Sequence, residues 1–387
     1  MILDSADADV LSGSQLIFLI SQPRAGSTLL QRILACHPDV HTASEPWLML
    51  PLLYARRSSG VTAEYDAAVA REAVQRFVAG LPGGEEAYQG AVRHLAVSLY
   101  GAALQATGKR HFLDKTPRYY LVIDELAQLF PRARFLLLVR NPLAVLASIL
   151  DRWIEPRSGL PWSSVRTDLA RAPRLLVDAA ASLGPRAVVV HYERLVQQPD
   201  VHVPRVCRGL GLDVAPGMVA YGRHRLPEWE LGDTDTVYRE DRPIANYTER
   251  WLHRIREPQC WRLTSDYLEF LDRGTLARLG YDYEELRRTL DARRPPRWRL
   301  WQTYPLRWWL DARPAQVARA SMLARVQKRG IAAVFETSPD GFVRANPLVR
   351  RLTWRVRGMR ARWRPRSAKP AGDHAQRSSE HAPTGRE

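Results

Sequence analysis

Apolar positions in this chain follow two rhythms that alternate along its length. Leu16-Ile17-Phe18-Leu19-Ile20 is a continuous run, stopped by Ser21-Gln22-Pro23-Arg24-Ala25-Gly26. After it, Leu29, Leu30, Ile33 and Leu34 recur at helical spacing within Ser27–Leu34. The pattern predicts strand, tight loop, helix. The same sequence of events recurs at Arg134–Val139, followed by Arg140-Asn141-Pro142 and the helical LAVLASIL, and at Ala187–Val190, followed by HYERLV. Shorter strands are expected at Val40–Ala43 and His111–Leu113. Strands that are apolar throughout and alternate with helices are buried on both faces, which predicts an α/β sandwich around a parallel sheet. Helical stretches near residues 63–79, 87–106, 118–129 and 162–182 are expected to pack around that sheet or to form a lid.

Composition narrows the class. At 387 residues, 45% hydrophobic and 25% charged, the chain can bury a full core. No run of eighteen apolar residues occurs, and MILDSADADV carries acid where a signal peptide carries base, so a cytoplasmic protein is expected. Cys36, Cys207 and Cys260 are odd in number and lack CxxC spacing, which argues against a disulfide framework or a zinc site.

The net charge of +16 looks like a nucleic-acid signature until it is divided. Residues 1–283 hold 33 Lys and Arg against 32 Asp and Glu, whereas residues 284–387 hold 24 against 9. The first 283 residues therefore read as a neutral globular body, residues 284–364 as a basic, Trp- and Arg-rich helical extension, and residues 365–387 as a disordered tail. Of the 57 basic residues only Lys109, Lys115, Lys328 and Lys369 are lysines, as a GC-rich bacterial coding sequence would produce, so Arg abundance alone says little about function.

Chemistry is expected in the loops that follow the strands. Gly26 lets a backbone approach a ligand closely, and Ser27 and Thr28 fall on the first helical turn, where N–H groups and hydroxyls hold anions. The loop lacks the first Gly and the Lys of GxxxxGK(S/T), so it is not an ordinary nucleotide-triphosphate loop, and Arg24 offers a guanidinium fork instead. Arg140 ends the RFLLLV strand, in the crevice where open α/β sheets bind ligands, and Ser148 lies on the following helix. Read alone, Arg140 can equally be a solvated loop residue and Ser148 a helix-packing position.

Four strings in order, FLISQPRAGSTLLQRILACHPDV, FLDKTPRYY, RFLLLVRNPLAVLASIL and VVVHYERLVQQP, resemble the sulfotransferases that use 3'-phosphoadenosine-5'-phosphosulfate. The likeness spans residues 14–283 and is nearer to the tyrosylprotein and bacterial small-molecule branches than to the cytosolic phenol and steroid enzymes. It implies a P-loop-like three-layer α/β/α fold and that nucleotide as donor. By resemblance, Pro23, Arg24, Ala25, Gly26, Ser27 and Thr28 grip the 5'-phosphosulfate, Arg140 and Ser148 bind the 3'-phosphate, and Tyr192 helps hold the nucleotide. Arg24 stands where cytosolic members carry Lys, which points to the branch in which a separate lysine assists; Lys115 in Asp114-Lys115-Thr116-Pro117 fits that role. Glu45 matches the position of the catalytic base. His41 is the competing base, with the better-matched intrinsic pKa, and an extended Val40–Ser44 would turn His41 and Glu45 to one face.

The resemblance implies in-line sulfuryl transfer to a hydroxyl, or an amine, of a small-molecule, glycan or lipid acceptor, releasing adenosine 3',5'-bisphosphate. No metal is required, and HExxH does not occur. Residues 223–256 and the mid-chain helices are expected to line the acceptor pocket. Trp298, Trp301, Trp308 and Trp309 interleaved with Arg, and the stretch Arg350–Arg366, would suit peripheral contact with an anionic membrane, at the inner face, or pack back on the core. The alternative function is an idle nucleotide-binding protein acting through this basic region, with membrane a better partner than nucleic acid; a kinase reading lacks its Walker lysine. Acceptor identity and oligomeric state are not written in these motifs.

Overall fold

The structure is a computed structural model that describes residues 12–57, 60–61, 63–154, 165–227, 229–232, 237–300 and 303. The chain divides into a unit of residues 1–324 and a second of residues 325–387, and all described residues belong to the first. Its centre is a five-stranded, wholly parallel sheet in the order β2-β3-β1-β4-β5. The strands are β1 (Leu16–Ser21), β2 (Val40–Thr42), β3 (His111–Lys115), β4 (Arg134–Val139) and β5 (Ala187–His191). β1 is the middle strand, with Leu19 in register with Lys115 of β3 and Ser21 with Leu138 of β4.

Because side chains alternate along a strand, β1 feeds two cores at once. Ile17 and Leu19 join Leu113, Leu136 and Leu138 under α1 (Ser27–Ala35) and later helices of the chain. Leu16, Phe18 and Ile20 join Phe112, Phe135 and Leu137 on the opposite face. There they meet α2 (Met49–Tyr54), α3 (Gly84–Gln105) and α4 (Ile123–Leu129). Phe18 is fully buried among Tyr119, Phe130 and Phe135, with ring centroids 5.5–6.0 Å apart. Helices on both faces give the expected three-layer sandwich, and a loop and helix after the middle strand make it P-loop-like.

The predicted strands are recovered to within two residues, and the one expected at Val40–Ala43 stops at Thr42. Alternation therefore does not carry from His41 to Glu45. His41 lies against Phe112, ring centroids 5.5 Å apart, and takes no part in the cavity described below. The boundary expected at residue 283 falls on the first residue of a helix, α5 (Tyr283–Asp291). Its Leu286 and Leu290 are buried in the core, and the carbonyl of Leu290 accepts from the indole of Trp261 at 2.8 Å. Most of the basic extension, including Trp301, Trp308, Trp309 and Arg350–Arg366, and the tail 365–387 lie outside the described residues. Within the described residues no helix is long and apolar enough to cross a membrane.

Candidate active site

The carboxyl ends of β1, β3 and β4 lie side by side, and each delivers a cation: Arg24 after β1, Lys115 at the end of β3, Arg140 after β4. Arg24 and Arg140 face a cavity of about 570 Å³ walled by residues from most of the predicted loops, among them Pro23, Gly26, Ser27, Thr28, Glu45, Ser148 and Tyr192.

The loop after β1 is held from beneath. The buried Gln22 amide donates to the carbonyl of Asp168 at 2.9 Å, and Ala25 N–H closes a turn on the Gln22 carbonyl at 3.1 Å. Arg24 sits in the left-handed region at φ 70, where a non-glycine residue is strained. Gly26 follows at φ 100; a Cβ there would meet the Tyr192 ring at 2.5 Å, so only glycine lets that ring press under the loop. No side chain caps the start of α1, whose first N–H groups form an anion-binding terminus next to the loop.

Arg140 is stretched across the other side. Its Nη1 donates to the Arg24 carbonyl at 3.1 Å and its Nη2 to the Tyr247 carbonyl at 3.3 Å, while its guanidinium stacks on Tyr192 at 4.4 Å. The Nε is buried and has no acceptor among the described residues. An unpaired guanidinium N–H beside a cavity can donate to an anionic oxygen. Asn141 N–H, next along the chain, donates to Glu193, which also accepts from Tyr281 at 2.8 Å. Ser148, expected to bind the 3'-phosphate with Arg140, accepts from Arg24 Nε at 3.2 Å.

Glu45 and Lys115 meet directly: Lys115 Nζ donates to Glu45 Oε1 at 2.7 Å. Lys115 is 0% exposed and Glu45 is 12% exposed. Burial pushes the Lys115 ammonium below the usual lysine range, and Glu45 and Asp114 oppose that shift. Lys115 is not itself on the cavity wall; Glu45 and the backbone of Gly232 cover it. A Cβ on Gly232 would stand 2.7 Å from Thr28 Oγ1 and 3.0 Å from Lys115 Nζ, so this glycine lies directly over both groups.

Beneath Lys115 is a carboxylate hub. Asp114, 1% exposed, accepts from Tyr100 at 2.6 Å, Tyr119 at 2.9 Å and Thr116 at 2.8 Å. Burial still pushes its carboxyl up to about 6.

Several wall residues were not marked by the motifs. Trp47 donates its indole N–H to Glu45 Oε2 at 3.0 Å. Arg118 forks onto the buried Asp168, with Nη2 to Oδ2 at 2.7 Å, and lies 5.5 and 5.6 Å from the Trp47 and Trp153 rings. Of the expected 223–256 lining, Glu230, Leu231, Gly232, Val237, Glu240, Arg242 and Tyr247 reach the wall. Tyr247 and Arg250 stack at 3.5 Å on the Arg140 side. Among the described residues, the helices expected near 63–79, 87–106 and 162–182 do not reach it. Among the described residues no group of three His, Cys, Asp or Glu is placed to hold a metal ion.

Residues 16–216 match the profile of the Sulfotransferase family. The nodulation protein NoeE of Sinorhizobium fredii is 37% identical over 308 residues, covering 71% of this chain and 68% of that protein. Protein-tyrosine sulfotransferase 1 of Danio rerio is 26% identical, covering 51% of this chain and 53% of that protein. Among solved structures, the sulfotransferase domain of the Synechococcus olefin synthase is 23% identical at a TM-score of 0.43, covering 61% of this chain and 86% of that one. A profile over more than half of the chain and a relative this similar settle the matter: the chain belongs to the sulfotransferase family, enzymes that move a sulfuryl group from 3'-phosphoadenosine-5'-phosphosulfate to an acceptor.

Proposed function

We propose that the cavity at the carboxyl ends of β1, β3 and β4 is where transfer takes place, and that the acceptor is a hydroxyl of a small molecule, glycan or lipid. The observation that carries this reading is the Glu45–Lys115 pair at 2.7 Å, set beside the Arg24 loop and the start of α1 on one cavity. Arg140, with its orphaned Nε, binds the 3'-phosphate, and Tyr192 supports both it and the loop. Arg24 and the N–H groups of Ser27 and Thr28 take the 5'-phosphosulfate oxygens.

The acceptor oxygen attacks sulfur from the side opposite the leaving phosphate while Glu45 accepts its proton. The S–O bond to the nucleotide breaks, and Lys115, Arg24 and the α1 terminus meet the charge that accumulates on the bisphosphate and the sulfuryl oxygens. These cations supply the charge stabilisation, so the reaction needs no metal ion. Trp47, Trp153 and Arg118 form the side from which an acceptor enters.

Transfer of ³⁵S from labelled donor to a panel of hydroxylated glycans, lipids and small phenols tests the reading. A labelled product that is lost in Glu45→Gln and Lys115→Met supports it; transfer undiminished in both variants removes these residues from the chemistry. The extension beyond α5 adds a peripheral contact with an anionic membrane to this reading, supported by Trp298, which is 70% exposed. Salt-sensitive sedimentation with anionic vesicles, lost on deleting residues 292–387, is the expected result, and no sedimentation at low salt rejects it.

A further inference from the structure

Lys115 is asked to serve two anions. In the free protein its one hydrogen-bond partner among the described residues is Glu45 Oε1, and the ammonium is sealed from solvent beneath that carboxylate and Gly232. Yet the transfer reaction brings a 5'-phosphosulfate against Thr28 and the α1 terminus, beside the same nitrogen. A carboxylate oxygen that already accepts from an ammonium also has one lone pair fewer to offer an incoming hydroxyl.

The surroundings of Glu45 show how it is kept in place. Trp47 donates to the other carboxylate oxygen, Oε2, at 3.0 Å. Trp47 lies in the left-handed region at φ 54, a conformation that a non-glycine residue holds only when neighbours fix it. They do: Trp47 N–H donates to Thr116 Oγ1 at 3.3 Å, and Met49 N–H donates to Tyr119 O–H oxygen at 3.0 Å. Both hydroxyls in turn donate to the buried Asp114. The Trp47–Met49 turn is thus tied at both ends to the residue preceding Lys115, and its ring rests on Arg118.

Resting on the proposed site, we infer that Lys115 exchanges Glu45 for the 5'-group of the nucleotide, and that Trp47 is the positioning residue that keeps Glu45 facing the cavity after the exchange. Donor binding then frees Oε1 to take the acceptor proton, and the base is armed only when the donor is present. Before that, the ion pair holds it idle.

Calorimetric titration with adenosine 3',5'-bisphosphate reads the exchange without any acceptor. Glu45→Gln releases Lys115 and tightens the bisphosphate Kd about fivefold or more, while adenosine 3'-monophosphate, which has no 5'-phosphate, binds as to the unaltered protein. In a Lys115→Met background the gain from Glu45→Gln shrinks by at least threefold. An unchanged or weaker Kd in Glu45→Gln overturns the exchange, and so does an equal or larger gain in the Lys115→Met background, which marks simple repulsion between Glu45 and the nucleotide. Failure of the unaltered protein to bind bisphosphate would instead strike at the site itself. Trp47→Phe keeps a ring on Arg118 and removes only the indole N–H. It leaves the bisphosphate Kd within twofold and slows loss of the sulfuryl group from ³⁵S-labelled donor to water at least fivefold; an unchanged rate removes Trp47 from its positioning role.

Discussion

Replacing Arg140 by Ala isolates the 3'-phosphate contact. In the structure Nη1 and Nη2 are anchored to the carbonyls of Arg24 and Tyr247, at 3.1 and 3.3 Å, and the ring of Tyr192 supports the guanidinium. The buried Nε has no acceptor, so a phosphate can be engaged without breaking either anchor. A hydrogen bond to a charged group contributes about 1.5–3 kcal/mol, and a desolvated guanidinium–phosphate contact reaches roughly 2–4 kcal/mol. At 1.4 kcal/mol per decade, that predicts a Kd for adenosine 3',5'-bisphosphate weakened roughly 30- to 700-fold. The control is 5'-AMP, which lacks the 3'-phosphate and should weaken by less than about threefold on this arithmetic. Calorimetry on the two proteins with the two nucleotides gives the four numbers needed. If Arg140→Ala weakens both nucleotides equally, Arg140 acts by holding the Arg24 carbonyl and shaping the loop. If it retains the full preference for the bisphosphate, the 3'-phosphate site lies elsewhere and the reasoning fails.

Three other outcomes follow from the geometry. Gly26→Ala drives a Cβ to within 2.5 Å of the Tyr192 ring at φ 100, which costs about 1–3 kcal/mol and should lower both the melting temperature and bisphosphate affinity; a variant equal to the parent in both would show that the loop adapts. Asp114 is held up to about 6, so the folded protein keeps this proton more tightly than the unfolded chain does. Its contribution to stability is complete below the unfolded pKa near 4 and is lost as pH rises through about 6, a change of roughly 3 kcal/mol for some two pKa units. Denaturant unfolding from pH 4 to 7 should therefore fall away more steeply in the parent than in Asp114→Asn, and parallel curves would contradict it. Incubation with a strong chelator should leave sulfuryl transfer unchanged, whereas loss restored by a divalent cation would overturn the metal-free mechanism.

The layers were readable because uninterrupted apolar runs such as LIFLI and RFLLLV can only be central parallel strands, and the loops after them carried Arg24, Gly26 and Arg140. Lys115 stood out as one lysine among arginines. The pairing of His41 with Glu45 did not survive, since β2 has room for only three residues before the chain turns. Trp47 was hidden because Trp-Leu-Met-Leu reads as the apolar start of a helix; its place comes from a backbone turn fixed by Thr116 and Tyr119, which follow β3, and through them by Asp114 on that strand. Arg118 and Asp168 are 50 residues apart and meet only in three dimensions. Ser148 shows the same limit: its helix was predicted, but its partner, Arg24, is set by how the loop after β1 lies against that helix.

The central claim is that this cavity binds the nucleotide of a sulfuryl donor. Titrating the purified protein, without added metal, with adenosine 3',5'-bisphosphate, 5'-AMP and ATP tests it most directly. The account predicts micromolar or tighter binding of the bisphosphate, on the order of 100-fold tighter than 5'-AMP, from the one phosphate contact that Arg140 supplies. Equal affinity for the bisphosphate and 5'-AMP, or tighter binding of ATP, would contradict it.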